Sequence, residues 1–362
     1  MPKLSYKIDA RADTVIILKN PNTSFAPWNL AEVDEDTTNF ANKSTINDST
    51  SINTGQGAST EIAIVANNTC ESNPANTEEA EVWYYVSRCH LVSASSTLNR
   101  MISGTEWKEG NRDEDDGLYH VPAQDWDSEA LLFVLQILHL RNRQVPRTLP
   151  VEMLAKIAVL IDFYDCAEAL ESFTERWIEY LRVTAPVPSY FCRDLMLWMC
   201  IAWVLKLPQE FVQATTVAIR RDDQELSTLG LPIMICVDRI DNLRMQAIGT
   251  VFSRLQDLLE EFRSPLYRCP RDDSFECGSI LYGALFKEME LQGLLPIPTA
   301  PYHDLSISEL CTKMQRIRSP MWCRPNRTKK GQHGCNLTER IRAIADPVTR
   351  LADGPELKDF EL

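Results

Sequence analysis

The chain has few histidines, no long apolar run and no surplus of positive charge, and each shortage removes a class of function. Its longest apolar stretch, LMLWMCIAWVL, is eleven residues, about half of the ~20 that a membrane-spanning helix needs. The opening MPKLSYKIDARAD lacks the apolar core of an export signal, so the expectation is an intracellular protein, cytoplasmic or nuclear, with no membrane role. Lys and Arg number 37 against 51 Asp and Glu, a formal net charge of -14. That balance disfavours general attraction to phosphate backbones, and nucleic acid is not an expected partner of the chain as a whole. The five histidines, His90, His120, His139, His303 and His333, are too scattered to suggest a base with an orienting partner. A glycine-rich phosphate loop, H-E-x-x-H and G-x-S-x-G are all missing. GSILYG, from Gly278, has a serine between glycines but sits inside a helical pattern. No repeat with a period of about 20–50 residues is visible, which argues against a solenoid. The expectation is a protein that is not an enzyme.

What is present supports real cores: 362 residues, 44% of them hydrophobic, allow two domains of ordinary size or one domain with an appended second layer. Residues 1–12 read as an N-terminal tail. DTVIILKN, Asp13 to Asn20, reads as a buried strand stopped by Asn20-Pro21. Residues 29–80 are rich in Asn, Thr, Ser, Ala and acidic residues and are predicted to be a disordered insertion, because they offer too little apolar surface to offset ordering entropy. EVWYYVSRC suits a strand that pairs with the first one across the insertion, at little extra closure entropy. HLVSASSTLNRMISGTEWKEG, residues 90–110, carries Leu91, Leu98, Met101 and Ile102 at helical spacing and then Gly104, a glycine of the kind that ends helices in a left-handed turn. GLYHVPA, closed by proline, reads as an edge strand.

From Asp125 onward the pattern is helical. Asp125 or Asp127 is placed to cap DWDSEALLFVLQILHL, and LPVEMLAKIAVLIDFY is apolar on two faces, as a helix buried between neighbours is. AEALESFTERWIEYL continues the pattern until TAPVPS, around residue 186, breaks it. Residues 190–362 read as a second, all-helical region.

In order and spacing, these residues resemble the BTB/POZ family. An Asp-led first strand falls on Asp13-Thr14-Val15-Ile16, and a second strand ends in Val86-Ser87-Arg88. Leu91, Ser95, Leu98 and Met101 follow down a helix, and Ile161-Asp162-Phe163-Tyr164 matches a later helix. The cadence is most similar to the large fungal BTB set, in which HLVSAS, DWD-x-EALL and EMLAKIAVLIDFY occur in this order. The resemblance covers residues 13–182 apart from the insertion. It departs at Ser87, where the family has histidine, and at Leu98, where it has phenylalanine. It implies an α+β fold, a small sheet covered by helices, followed here by the all-α region. It also implies a non-enzymatic interaction module that self-associates as a homodimer or recruits protein partners. Asp13, Leu91, Ser95, Leu98, Met101, Asp162 and Tyr164 are then the core of the motif.

Two constellations carry further chemical content. Trp107-Lys108-Glu109 resembles the loop through which some BTB proteins engage a cullin scaffold of ubiquitin ligases. An aromatic anchor beside a rim carboxylate makes a hot spot; the alternative is a Trp107 folded back on its helix and a solvated Glu109. Near the other end, Cys269, Cys277, Cys323, His333 and Cys335 crowd one region. Cys269, Cys277, His333 and Cys335 have the ligand types of a closed structural zinc site. They lack the tight C-x2-C knuckle, and the alternative is ordinary buried cysteines; no other cofactor is expected. Eleven cysteines without an export signal otherwise read as reduced thiols. Arg316, Arg318, Arg324, Arg327, Lys329 and Lys330 form a basic segment. It suits an acidic partner, a nuclear import signal or the DNA contact of a transcription or chromatin regulator; the plainer reading is a solvated loop.

Overall fold

The second strand, β2 (Thr14–Lys19), is buried on both faces at Val15, Ile16 and Leu18, as a central strand made of a continuous apolar run must be. The computed structural model describes residues 4–28, 80–104, 108–221, 226–270, 273–302, 305–320, 335–351 and 355–360. Within them β2 runs antiparallel to β3 (Glu81–Val86), with Thr14 opposite Val86 and Lys19 opposite Glu81. On its other side it runs parallel to β4 (Tyr119–Gln124), with Ile17 opposite Pro122. Pro122 offers no amide to a ladder, and β4 is an edge strand, as the order β1-β3-β2-β4 records. The fourth member is β1 (Leu4–Lys7), parallel to β3. This corrects the reading of residues 1–12 as a tail: four of them form the other sheet edge, in a strand too short for its alternation to stand out. Residues 29–79, most of the stretch predicted to be disordered, lie outside the described residues.

β3 alternates cleanly. Val82, Tyr84 and Val86 are buried, while Glu81, Trp83 and Tyr85 are partly exposed, so one sheet face is covered and the other faces outward. The covered face meets α3 (Ser128–Leu138), whose first carbonyl accepts a hydrogen bond from the Tyr84 hydroxyl at 2.8 Å. In the chain, α1 (Arg88–Ala94) and α2 (Ser96–Ser103) follow β3. The sequence predicts one helix here; the chain breaks it at Ser95, which is extended (φ -143°, ψ 120°). Gly104 also differs from expectation: it ends α2 in an extended conformation (φ -80°), not a left-handed one.

Asp127 caps α3, accepting from the amides of Glu129 at 3.0 Å and Ala130 at 2.9 Å. α4 (Val151–Tyr164) and α5 (Ala167–Thr184) follow, then α6 (Arg193–Val204). The run from Leu195 to Ala202 in α6 is wholly buried, which is where an apolar stretch too short to span a membrane belongs. α6 packs on α4 and on α7 (Pro208–Arg220). Beyond them are α8 (Met234–Arg263), α9 (Phe275–Leu291), α10 (Ile307–Gln315) and α11 (Leu337–Leu351). α8 buries Val237, Ile240, Arg244, Ala247, Ile248 and Val251 at the three- and four-residue spacing of one helix face. Among the described residues there are thus four strands and eleven α-helices, a mixed helix and sheet structure. Residues 80–362 belong to one compact unit with residues 1–27. No described helix is long and apolar enough to cross a membrane.

A polar clamp ties the segment after β2 to the helices. Arg193 donates to the carbonyls of Phe25 and Ala26, each at 2.8 Å, and to Glu152 at 2.9 Å. Lys156 joins Glu152 at 3.0 Å to Asp127 at 2.9 Å.

Candidate functional site

The motif residues separate into joints and packing. Asp13 precedes β2, and its carboxylate accepts from the Arg88 amide at 2.7 Å and from the Thr14 hydroxyl at 3.2 Å. It therefore satisfies an orphan amide at the start of α1, where Ser87 makes no side-chain cap. Ser95 is buried between α1 and α2. Its oxygen accepts from the Leu98 amide at 2.9 Å, the N-cap bond of α2, while its hydroxyl donates to the Tyr164 carbonyl at the end of α4. Leu91 and Leu98 are buried core, Met101 is half-buried, and the Tyr164 ring is buried. Burial pushes the Tyr164 phenol up from its ordinary value. Asp162 departs from the expectation of a core position. It is exposed on α4; partial desolvation nonetheless raises its carboxyl, against the opposing pull of Lys206.

One joint was not anticipated from the sequence. His139, at the C-terminus of α3, places Nδ1 2.7 Å from the Leu135 carbonyl and Nε2 2.9 Å from the Ser87 amide. Those partners require a neutral ring with the proton on Nδ1 donating and Nε2 accepting. Burial lowers its pKa from the usual histidine value, with the His90 ring 4.9 Å away acting in the same direction. The signal was only a histidine after an apolar helix, which spacing does not distinguish from a surface residue.

At the candidate partner loop, Lys108–Gly110 forms a 3-10 turn, and Glu109 is half-buried. Gly110 lies against Gly104: a Cβ there would fall 2.0 Å from the Gly104 carbonyl oxygen. The loop thus closes on the end of α2 through a contact only glycine permits. Trp107 lies outside the described residues.

The cysteine cluster comes from three segments. Cys269 follows α8, Cys277 is in the first turn of α9, and Cys335 precedes α11. Their sulfurs all lie within 4.8 Å of one another, with Cys269 Sγ 3.6 Å from Cys335 Sγ. Cys269 and Cys277 are buried and Cys335 is half-buried, and none of the three is in a disulfide. Burial, reinforced by the neighbouring sulfurs, pushes Cys277 up to about 12. Tyr267 stands two residues before Cys269 and interacts electrostatically with all three sulfurs. Its ring packs edge-on against Phe262 at 5.4 Å and lies directly on Gly278, whose Cβ would meet Tyr267 Cδ1 at 2.7 Å. The fold brings together three of the four cysteine and histidine ligands expected from sequence; His333 and Cys323 lie outside the described residues. Tyr267 was missed, because no ligand pattern includes it.

Of the basic segment, Arg318 donates to Glu288 at 2.8 Å, and Arg316 is exposed at the end of α10. Arg324, Arg327, Lys329 and Lys330 are outside the described residues. Asp113, Asp116 and His120 also cluster, with His120 2.9 Å from Asp116. Asp113 and Asp116 spend their other oxygens on the amides of Asp115 and Leu118, each at 2.9 Å, and so serve the turn into β4. No protein-family model matches the chain, and no curated protein and no solved structure matches it.

Proposed function

We propose that this chain is a non-enzymatic protein–protein interaction module with a BTB/POZ-like arrangement in its first half. The observation that carries the reading is the Ser95 joint. A serine picked out by family resemblance caps α2 and reaches the carbonyl of Tyr164, a second motif residue 69 positions later. Asp13 capping α1 adds a further joint between motif positions. Such links explain why polar residue types stand at these positions among apolar ones. None of the nine described cysteines is in a disulfide, which suits a reducing, intracellular setting.

Within this reading the module recruits protein partners, and its sharper form is an adaptor for a cullin-based ubiquitin ligase. Support for that form is the placement of Glu109 on a turn that closes against the end of α2, two positions after the aromatic Trp107. Affinity purification of the full chain from cells, with partners identified by mass spectrometry, tests it. The expected result is a recovered cullin that is lost when Trp107→Ala and Glu109→Ala are combined. Recovery of other partners without any cullin removes the adaptor form and leaves a scaffold, whose self-association light scattering would measure. The reading as a transcription regulator has less support, because Arg318 is engaged with Glu288.

A further inference from the structure

We propose that Cys269, Cys277 and Cys335 are three ligands of a structural zinc ion that clips the loop after α8, the start of α9 and the start of α11 together. Zinc–thiolate bonds of ~2.3 Å at tetrahedral angles set sulfurs about 3.8 Å apart. The Cys269–Cys335 separation is 3.6 Å, and all three sulfurs lie within 4.8 Å of one another, so small shifts complete the geometry. A disulfide, at about 2.05 Å, is a much larger departure.

The surroundings favour a thiolate cluster over plain core packing. Three cysteines drawn from three segments converge on one point, whereas Cys166, Cys200 and Cys236 are buried without forming such a group. The Tyr267 ring packs against the same cluster, on Gly278 next to Cys277, and neighbouring groups that hold ligands in place are a usual part of metal sites. Gly278 is needed for the Tyr267 ring to sit where it does. A divalent cation stabilises the thiolate form of a cysteine that would otherwise be a neutral thiol. On binding, Zn(II) displaces one proton from each of three thiols, leaving a trithiolate with one negative charge and a fourth position for water or a further ligand. No electron is transferred. The consequence is structural: the metal fastens the start of α11 to the α8–α9 turn, beside the apolar packing of α11 on α8.

The test uses the full chain purified under reducing conditions without chelator. Elemental analysis is expected to give one zinc per chain. Cobalt(II) added to the metal-stripped wild type is expected to produce thiolate-to-cobalt charge-transfer absorption and the visible bands of tetrahedral cobalt. Cys269→Ser, Cys277→Ser and Cys335→Ser should each lose that absorption, while Cys89→Ser, a change at an exposed cysteine, keeps it. The wild-type cobalt spectrum needs no variant to fold, so a misfolded variant does not rescue the idea. A wild-type protein with reduced thiols that holds no zinc and gives no cobalt–thiolate absorption overturns the proposal. So does a spectrum that survives in the folded triple-serine variant, or a Cys269–Cys335 disulfide as the native state.

Discussion

Ser95 shows how one side chain settles a local geometry that periodicity leaves open. The apolar spacing of Leu91, Leu98 and Ile102 runs through it, and only the hydroxyl's two hydrogen bonds, to the Leu98 amide and the Tyr164 carbonyl, convert one helix into two. Ser95→Ala should therefore lower stability by about 1–3 kcal/mol, because a cap is lost and buried polar groups lose a partner. Urea unfolding followed by tryptophan fluorescence measures it; an unchanged midpoint would sink the assignment. At this scale the sequence was legible in residue type but not in partner. Asp13 and Ser95 stood out as polar positions in an apolar pattern, yet their contacts, Arg88 and Tyr164, are set by tertiary packing. Asp162 shared the motif and proved exposed, since a helix position two residues from a buried one turns to another face. The grouping of Cys269, Cys277 and Cys335 was legible from residue type, whereas Tyr267 became visible only through its ring on Gly278.

Helices were the most legible elements, because long stretches with a 3.6-residue period leave few alternatives. β1 was not, at four residues on a sheet edge. Nor were the connections between elements, and His139 is the clearest case: it joins the end of α3 to the start of α1 through the Ser87 amide. Burial depresses its folded pKa below the unfolded value of 6.5, which keeps the imidazole neutral as the joint requires. The unfolded chain then binds the extra proton first, and stability is full above the unfolded pKa and falls as pH drops toward the folded one. Between about pH 7.5 and 5.5, where carboxylates stay ionised, the urea midpoint of the wild type should decline. His139→Gln keeps an acceptor without a titrating ring and should flatten that slope; an equal slope in both proteins would remove the assignment.

For the whole molecule, the proline-rich break near residue 186 marks where a helix ends and not where packing ends. α6 returns onto α4, and the Trp198 indole donates to the Ala185 carbonyl at 3.1 Å. Each large apolar side chain buried in α6 contributes about 1.5–3 kcal/mol, so residues 189–362 produced alone should expose that surface. Calorimetry is expected to find one cooperative transition in the full chain and none in the fragment, which should bind a hydrophobic dye. A sharp transition and a dispersed amide spectrum from the fragment would contradict this.

The Arg193 clamp has a consequence for synthesis. Its guanidinium meets the carbonyls of Phe25 and Ala26, residues made 168 and 167 positions earlier. At about 5–20 residues per second on a ribosome, that segment waits roughly 8–35 s for its partner to be translated. Throughout that interval the segment that follows β2 has no guanidinium to hold its carbonyls, so its anchoring to the helices is completed only when α6 emerges.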